Sequence, residues 1–148
     1  MSMPMPSASE LPQETSELDI KSILLLDDDT DLSDALKELL EARNFVVTTA
    51  TDGAGGLREV MQMDFDVIIC DLLMPGMPGD MFHLAVKTVK PHLAERFLFI
   101  TGHKGNPKVD EFLKGIDALV LFKPVLIDEL VRMISLVLQR GEKSPAER

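Results

Sequence analysis

The sequence predicts an α/β fold: a doubly wound parallel sheet with helices on both faces. Three observations predict it. Five short apolar runs recur along the chain, and each is followed by a stretch with the spacing of an amphipathic helix. Serial βα units of this kind give parallel strands joined by crossovers, which places helices above and below one sheet. The scale fits as well: 148 residues, 45% hydrophobic and 27% charged, is the make-up of one globular domain with a sizeable core.

Residues 1–20 are rich in Pro, Ser and Glu and are expected to form a flexible tail; the domain then spans 21–140, and 141–148 form a second tail. The first strand is Ser22–Leu26, because Ile23-Leu24-Leu25-Leu26 is a short apolar run typical of a buried strand. A helix over about 31–43 follows, and Thr30, Asp31 and Asp34 suit the cap and acidic first turn of its N-terminus. The second strand, Phe45–Ala50, leads to a helix over 53–63 that opens with Gly53, Gly55 and Gly56. Each helical Gly costs roughly 0.5–1 kcal/mol relative to Ala, so this helix is expected to begin late or be locally weak.

The third strand, Val67–Cys70, ends in the single cysteine, which excludes an internal disulfide and reads as a small core residue. A helix over 79–89 follows, then a strand at Phe97–Ile100 and a helix over 107–115. The fifth strand, Ala118–Leu121, precedes a helix over 126–139 whose period is clear: Ile127, Leu130, Val131, Ile134 and Leu138 form one stripe, with Asp128, Glu129, Arg132 and Gln139 elsewhere. His83 and His92 have no metal-like spacing and are expected at the surface.

A net charge of -10 argues against binding nucleic acid or an anionic membrane, both of which need a basic face. The N-terminus lacks a basic region followed by an apolar stretch, and no run approaches the roughly 18 apolar residues of a membrane span. A cytoplasmic location is the expectation.

In open parallel sheets the ligand site lies beyond the carboxyl ends of the strands. There the sequence places Asp27 and Asp28 after the first strand, Asp71 after the third, Thr101 after the fourth, and Lys123 before Pro124 after the fifth. Two carboxylates about 5 Å apart at an effective dielectric near 20 repel by roughly 3 kcal/mol, a large share of a domain's stability. A bound cation explains such a cluster better than structure does. All-oxygen ligands without paired His or Cys favour Mg²⁺ or Mn²⁺, ions that keep several waters and handle phosphate. Asp71 is then the candidate nucleophile toward a phosphoryl group, with the ammonium and hydroxyl on its equatorial oxygens. Taken singly, Thr101 reads as a turn residue and Lys123 as a surface charge; together with the acids they do not.

Asp27, Asp29, Asp31, Ser33, Ala35 and Glu38 also fall on the ligand positions of a calcium-binding EF-hand loop. That pattern fails, because Leu32 stands where the loop needs Gly and a strand precedes it where a helix is needed.

The motifs ILLLDDD (23–29), DVIICDLLMPGMPGD (66–80), FLFITG (97–102) and LFKP (121–124), in this order and spacing, resemble the receiver domain of two-component response regulators over about residues 21–140. The resemblance implies a flavodoxin-like, five-stranded sheet of order 2-1-3-4-5. It implies Asp71 as phosphoacceptor, Asp28 as direct Mg²⁺ ligand, Asp27 as a ligand through water, and the backbone carbonyl of Leu73 as a further ligand. Thr101 would be the switch hydroxyl, Lys123 would pair with the phosphoryl group, and the Lys123-Pro124 bond would be cis. The implied partners are a histidine kinase or histidine phosphotransfer protein and a protein output partner, the domain being a monomer or a phosphorylation-linked dimer. It would catalyse only its own phosphorylation and dephosphorylation.

Some positions depart from the family pattern. Val120 stands where the family often has an aromatic coupled to Thr101. Leu73 and His103 occupy positions that influence acyl-phosphate hydrolysis, and Leu73 cannot orient an attacking water, which implies slow autodephosphorylation. A haloacid-dehalogenase-like phosphatase is the rival enzyme, but Asp31 stands where its first motif needs Thr or Val, and Asp128-Glu129 lies at a helix start. A pseudo-receiver acting only as an interaction module would not need the full set of chemical residues present here. The chain is read as a free-standing regulator, with a receiver of a hybrid histidine kinase as the alternative.

Overall fold

The structure, a computed structural model, describes residues 20–102 and 105–146, with side chains through residue 141. Five strands, β1 (Ser22–Leu26), β2 (Val46–Ala50), β3 (Val67–Asp71), β4 (Phe97–Thr101) and β5 (Leu119–Phe122), form one sheet in the order β2-β1-β3-β4-β5. Every pairing is parallel. The helices are α1 (Thr30–Glu41), α2 (Gly53–Gln62), α3 (Gly79–Val89), α4 (Pro107–Ile116) and α5 (Ile127–Ala146), with a short 3-10 helix at Pro91–Arg96.

Alternation along the strands divides the core in two. Leu24, Leu26, Ile68, Cys70, Phe97 and Phe99 point to one face, where Val60 of α2, Phe82 and Val86 of α3 and Val109 of α4 cover them. Ile23, Leu25, Val67, Ile69, Leu98 and Ile100 point to the other, covered by Leu36 and Leu40 of α1 and Leu130, Ile134 and Val137 of α5. The central strands are apolar at nearly every position because both of their faces are buried. Cys70 is a buried core residue, as expected. Among the described residues, no helix is long and apolar enough to cross a membrane.

Three expectations are corrected. First, α2 does not begin late: it starts at Gly53, capped by Asp52, whose carboxylate accepts from the Gly55 amide at 2.7 Å. Its glycines permit close approach, since a Cβ at Gly53 would lie 2.6 Å from Met77 Sδ and one at Gly56 would lie 2.9 Å from Leu26 Cδ1. Second, His83 is buried, not at the surface. Its ring sits 4.8 Å from that of Phe97 and also touches Phe99 and Phe112, and its Nε2 lies 3.2 Å from the Ala94 carbonyl oxygen. A lone imidazole on a helix face is apolar enough to join a core once one carbonyl satisfies it. His92 is exposed and pairs with Asp64. Third, α5 continues past Gln139 to Ala146, and Arg140 Nη1 donates to the Asp117 carbonyl oxygen at 3.0 Å.

Candidate functional site

The site lies at the carboxyl ends of β1, β3, β4 and β5, where the parallel register brings the strand ends level. The chain leaves β1 through Asp27, whose amide donates to the Ala50 carbonyl oxygen at 3.1 Å. Asp27 is fully buried, and its Oδ1 accepts from the Asp29 amide at 2.9 Å. Asp29 in turn caps α1 by accepting from the Leu32 amide at 3.1 Å. The acidic run is therefore divided by role: Asp29 starts the helix, while Asp27 and Asp28 remain at the site.

Asp71 ends β3 and is buried. Its Oδ1 accepts from the Leu73 amide at 3.1 Å, and its Oδ2 accepts from Lys123 Nζ at 3.1 Å. Behind it, Gly79 starts α3 against the strand end: a Cβ there would lie 2.7 Å from the Asp71 carbonyl oxygen, and the Gly79 amide donates to the Leu72 carbonyl oxygen. The sequence reading did not single out Gly79; the MPGMPGD stretch carried the signal, since Gly and Pro mark tight turns.

Lys123 reaches the same place from β5. Its amide donates to the Thr101 carbonyl oxygen at 2.8 Å, and the bond to Pro124 is cis. Its ammonium lies 3.1 Å from Oδ2 of Asp27 as well as 3.1 Å from Oδ2 of Asp71. Only the contact to Asp71 has the direction of a hydrogen bond, so the buried Asp27 Oδ2 is paired in charge but accepts no hydrogen bond. Thr101 is fully buried at the end of β4. In register it pairs with Phe122, and Phe99 pairs with Val120, so Val120 lies two residues down the strand from the Thr101 partner and packs against the aromatic core. Leu73 is partly exposed beside Asp71. His103 lies outside the described residues.

Electrostatics explain why these groups need one another. Burial pushes the Asp27 carboxyl above its ordinary pKa, the Asp29 amide and Lys123 oppose this, and the Asp71 charge adds to it. Burial alone would lower the Lys123 ammonium, but the two carboxylates outweigh it and hold its pKa above the usual value. Oxygens of Asp27, Asp28 and Asp71 all lie within 4.8 Å of one another, the one such cluster of acids, His or Cys among the described residues. Three hard oxygen donors, one of them buried without a hydrogen bond, fit Mg²⁺ or a similar divalent cation.

Fold and site together define a doubly wound domain with an acidic, cation-ready cleft at the strand ends where such folds bind ligands. The family model for the response regulator receiver domain matches residues 23–135, and the chain belongs to that family. Magnesium and phosphorylation are standard for it. The chain is 31% identical over 127 residues to the sensory transduction protein RegX3 of Mycobacterium tuberculosis, covering 85% of this chain and 54% of that protein. The chain thus spans about half the length of these curated relatives. It is 32% identical over 122 residues to the response regulator receiver protein CpdR of Brucella abortus, covering 80% of this chain and 98% of that one. A CheY-like receiver domain from Methanospirillum hungatei superposes with a TM-score of 0.76 at 26% identity, covering 84% and 98% of the two chains.

Proposed function

We propose that this receiver accepts a phosphoryl group on Asp71 from a phosphohistidine of a histidine kinase or phosphotransfer protein. The single observation that carries the proposal is the placement of Asp71: a buried carboxylate at the end of the central strand, held by Lys123 Nζ and the Leu73 amide. A carboxylate oxygen of Asp71 attacks phosphorus as the P–N bond breaks, and the electron pair returns to the imidazole nitrogen, which is protonated. Lys123 is placed to move from the carboxylate to a phosphoryl oxygen, and the Thr101 hydroxyl supplies a donor for another. Asp27, Asp28, Asp71 and the Leu73 carbonyl are the proposed holders of Mg²⁺. When bound, Mg²⁺ neutralises charge on the phosphoryl oxygens and relieves the repulsion among the acids. Outside the phosphotransfer to and from itself, the domain performs no reaction.

The receiver unit spans residues 21–140 in this reading, and signalling passes through a phosphorylation-dependent protein surface. Its likeness to CpdR, of which it covers 98%, supports a free-standing regulator. The alternative is a receiver of a hybrid histidine kinase; RegX3, of which the chain covers 54%, is a case of a match to part of a longer protein. With Val120 in place of an aromatic, relay from Thr101 does not run through ring rotation at that position. The test is chemical mapping of the phosphorylated protein: borohydride reduction of an aspartyl phosphate leaves homoserine, which the proposal places at position 71 and at no other carboxylate.

A further inference from the structure

Away from the acidic cleft, the outer side of α2 carries a groove of about 460 Å³ lined by Ala54, Leu57, Arg58, Met61, Gln62 and Met77. Its floor belongs to the core, because Leu57 and Met77 pack against the buried cluster on that face of the sheet. Its margin is apolar and exposed. Met61 is 60% exposed, and on α3, beyond Met77, Met81 and Leu84 are 55% and 62% exposed. Methionine side chains are flexible and polarisable, a composition suited to taking up another apolar surface.

The groove also has a charge. Among the described residues, Arg58 makes no ion pair or hydrogen bond, although the chain carries 25 acidic side chains against 15 Lys and Arg. A guanidinium without a partner among the described residues, at the rim of an apolar groove, suits a carboxylate brought by the occupant. The wall has the period of a helix: Ala54, Leu57, Arg58 and Met61 are three or four residues apart and span about 10 Å along the axis. Two turns of an apolar-faced helix laid against it would match that length.

We propose that the α2–Met77 groove is a docking surface for an amphipathic helix of a partner protein, with Leu- or Met-type side chains in the groove and a Glu or Asp facing Arg58. It is independent of the chemistry assigned to Asp71. Met77 nonetheless belongs to the segment between β3 and α3, whose Gly79 amide bonds the Leu72 carbonyl oxygen, so an occupied groove touches the loop that leaves the acidic cleft.

The test uses the 148-residue chain with ¹³C-labelled methionine methyls and a synthetic amphipathic helix of Leu, Ala and Glu as the probe. Saturable shifts at Met61, Met77 and Met81, with buried Met74 unmoved, are expected. Exchanging Glu for Lys in the peptide, or making Arg58→Glu, should each weaken binding by about tenfold, because an attraction becomes a like-charge repulsion. Met61→Gln should weaken it as well, with the Met74 methyl reporting an intact fold in each variant. Absence of shifts at these methyls, or equal binding of the Lys peptide, would overturn the proposal. Concentration-dependent shifts at the same methyls without peptide would also overturn it, by assigning the groove to a second copy of this chain.

Discussion

Lys123 Nζ donates to Asp71 Oδ2 at 3.1 Å across 52 residues of sequence, and the same ammonium lies 3.1 Å from Oδ2 of buried Asp27. One cation therefore compensates two buried carboxylates, with a third, Asp28, beside them. The cluster is two positive charges short of balance, which is the deficit a divalent ion would correct.

Neutralising the exposed member of the cluster should relieve that imbalance. Asp28→Asn is expected to raise the melting temperature of the metal-free protein by about 2–4 °C and to abolish stabilisation by Mg²⁺. Thermal melts in EDTA and in Mg²⁺ check both halves. Equal Mg²⁺ stabilisation of wild type and variant would remove Asp28 from the ion's shell.

Leu73 stands beside the proposed phosphoacceptor with no hydrogen-bonding group on its side chain. Leu73→Asn, which can hold a water, should shorten the half-life of the phosphorylated state several-fold, whereas Leu73→Ala should change it much less. The decay of the phosphorylated mass after removal of donor measures this. Identical decay in all three proteins would show that residue 73 does not control access of water.

His83 gives a pH dependence whose sign is fixed by burial. Desolvation lowers its pKa in the folded protein, only partly offset by the Ala94 carbonyl. The unfolded chain therefore binds the proton first. The contribution is fully present above the ordinary imidazole value near 6.5 and is lost as pH falls through 6.5 toward the folded value. Denaturant midpoints should drop between pH 7.5 and 5.5 in wild type, and drop less in His83→Phe, which keeps the ring contacts without the titration. Parallel pH profiles would contradict this.

The glycines of α2 can be tested against each other. A Cβ at Gly56 would lie 2.9 Å from Leu26 Cδ1 and 3.0 Å from Phe82 Cε1, both side chains fully buried and unable to yield. Gly56→Ala should therefore lose about 1–3 kcal/mol by overpacking, outweighing a helix-propensity gain of up to about 1 kcal/mol. At Gly55 the nearest atom is Asp52 Oδ1 at 3.1 Å, and Gly55→Ala should be near neutral by urea unfolding.

These residues also show how far the sequence could be read. The sheet was legible because Ile23–Leu26, Val67–Cys70 and Phe97–Ile100 are apolar on both faces, and the cleft because Asp27, Asp28, Asp71, Thr101 and Lys123 fall at strand ends. His83 was misplaced because a single imidazole at helical spacing carries no sign of the Phe97, Phe99 and Phe112 rings that enclose it. Gly53 and Gly56 were read through helix propensity alone, while the contacts that require them, Met77 and Phe82, lie about 25 residues away in sequence. The end of α5 was placed early because Arg140's partner, Asp117, is equally remote.

The central claim is that Asp71 accepts a phosphoryl group with the help of a divalent ion. Intact mass after incubation with acetyl phosphate, in Mg²⁺ and in EDTA, on wild type and Asp71→Ala, tests it most directly. The expected result is a single labile phosphoryl adduct on wild type in Mg²⁺ that is absent in EDTA and absent in Asp71→Ala. An adduct of equal yield on Asp71→Ala, or one indifferent to EDTA, would contradict the claim.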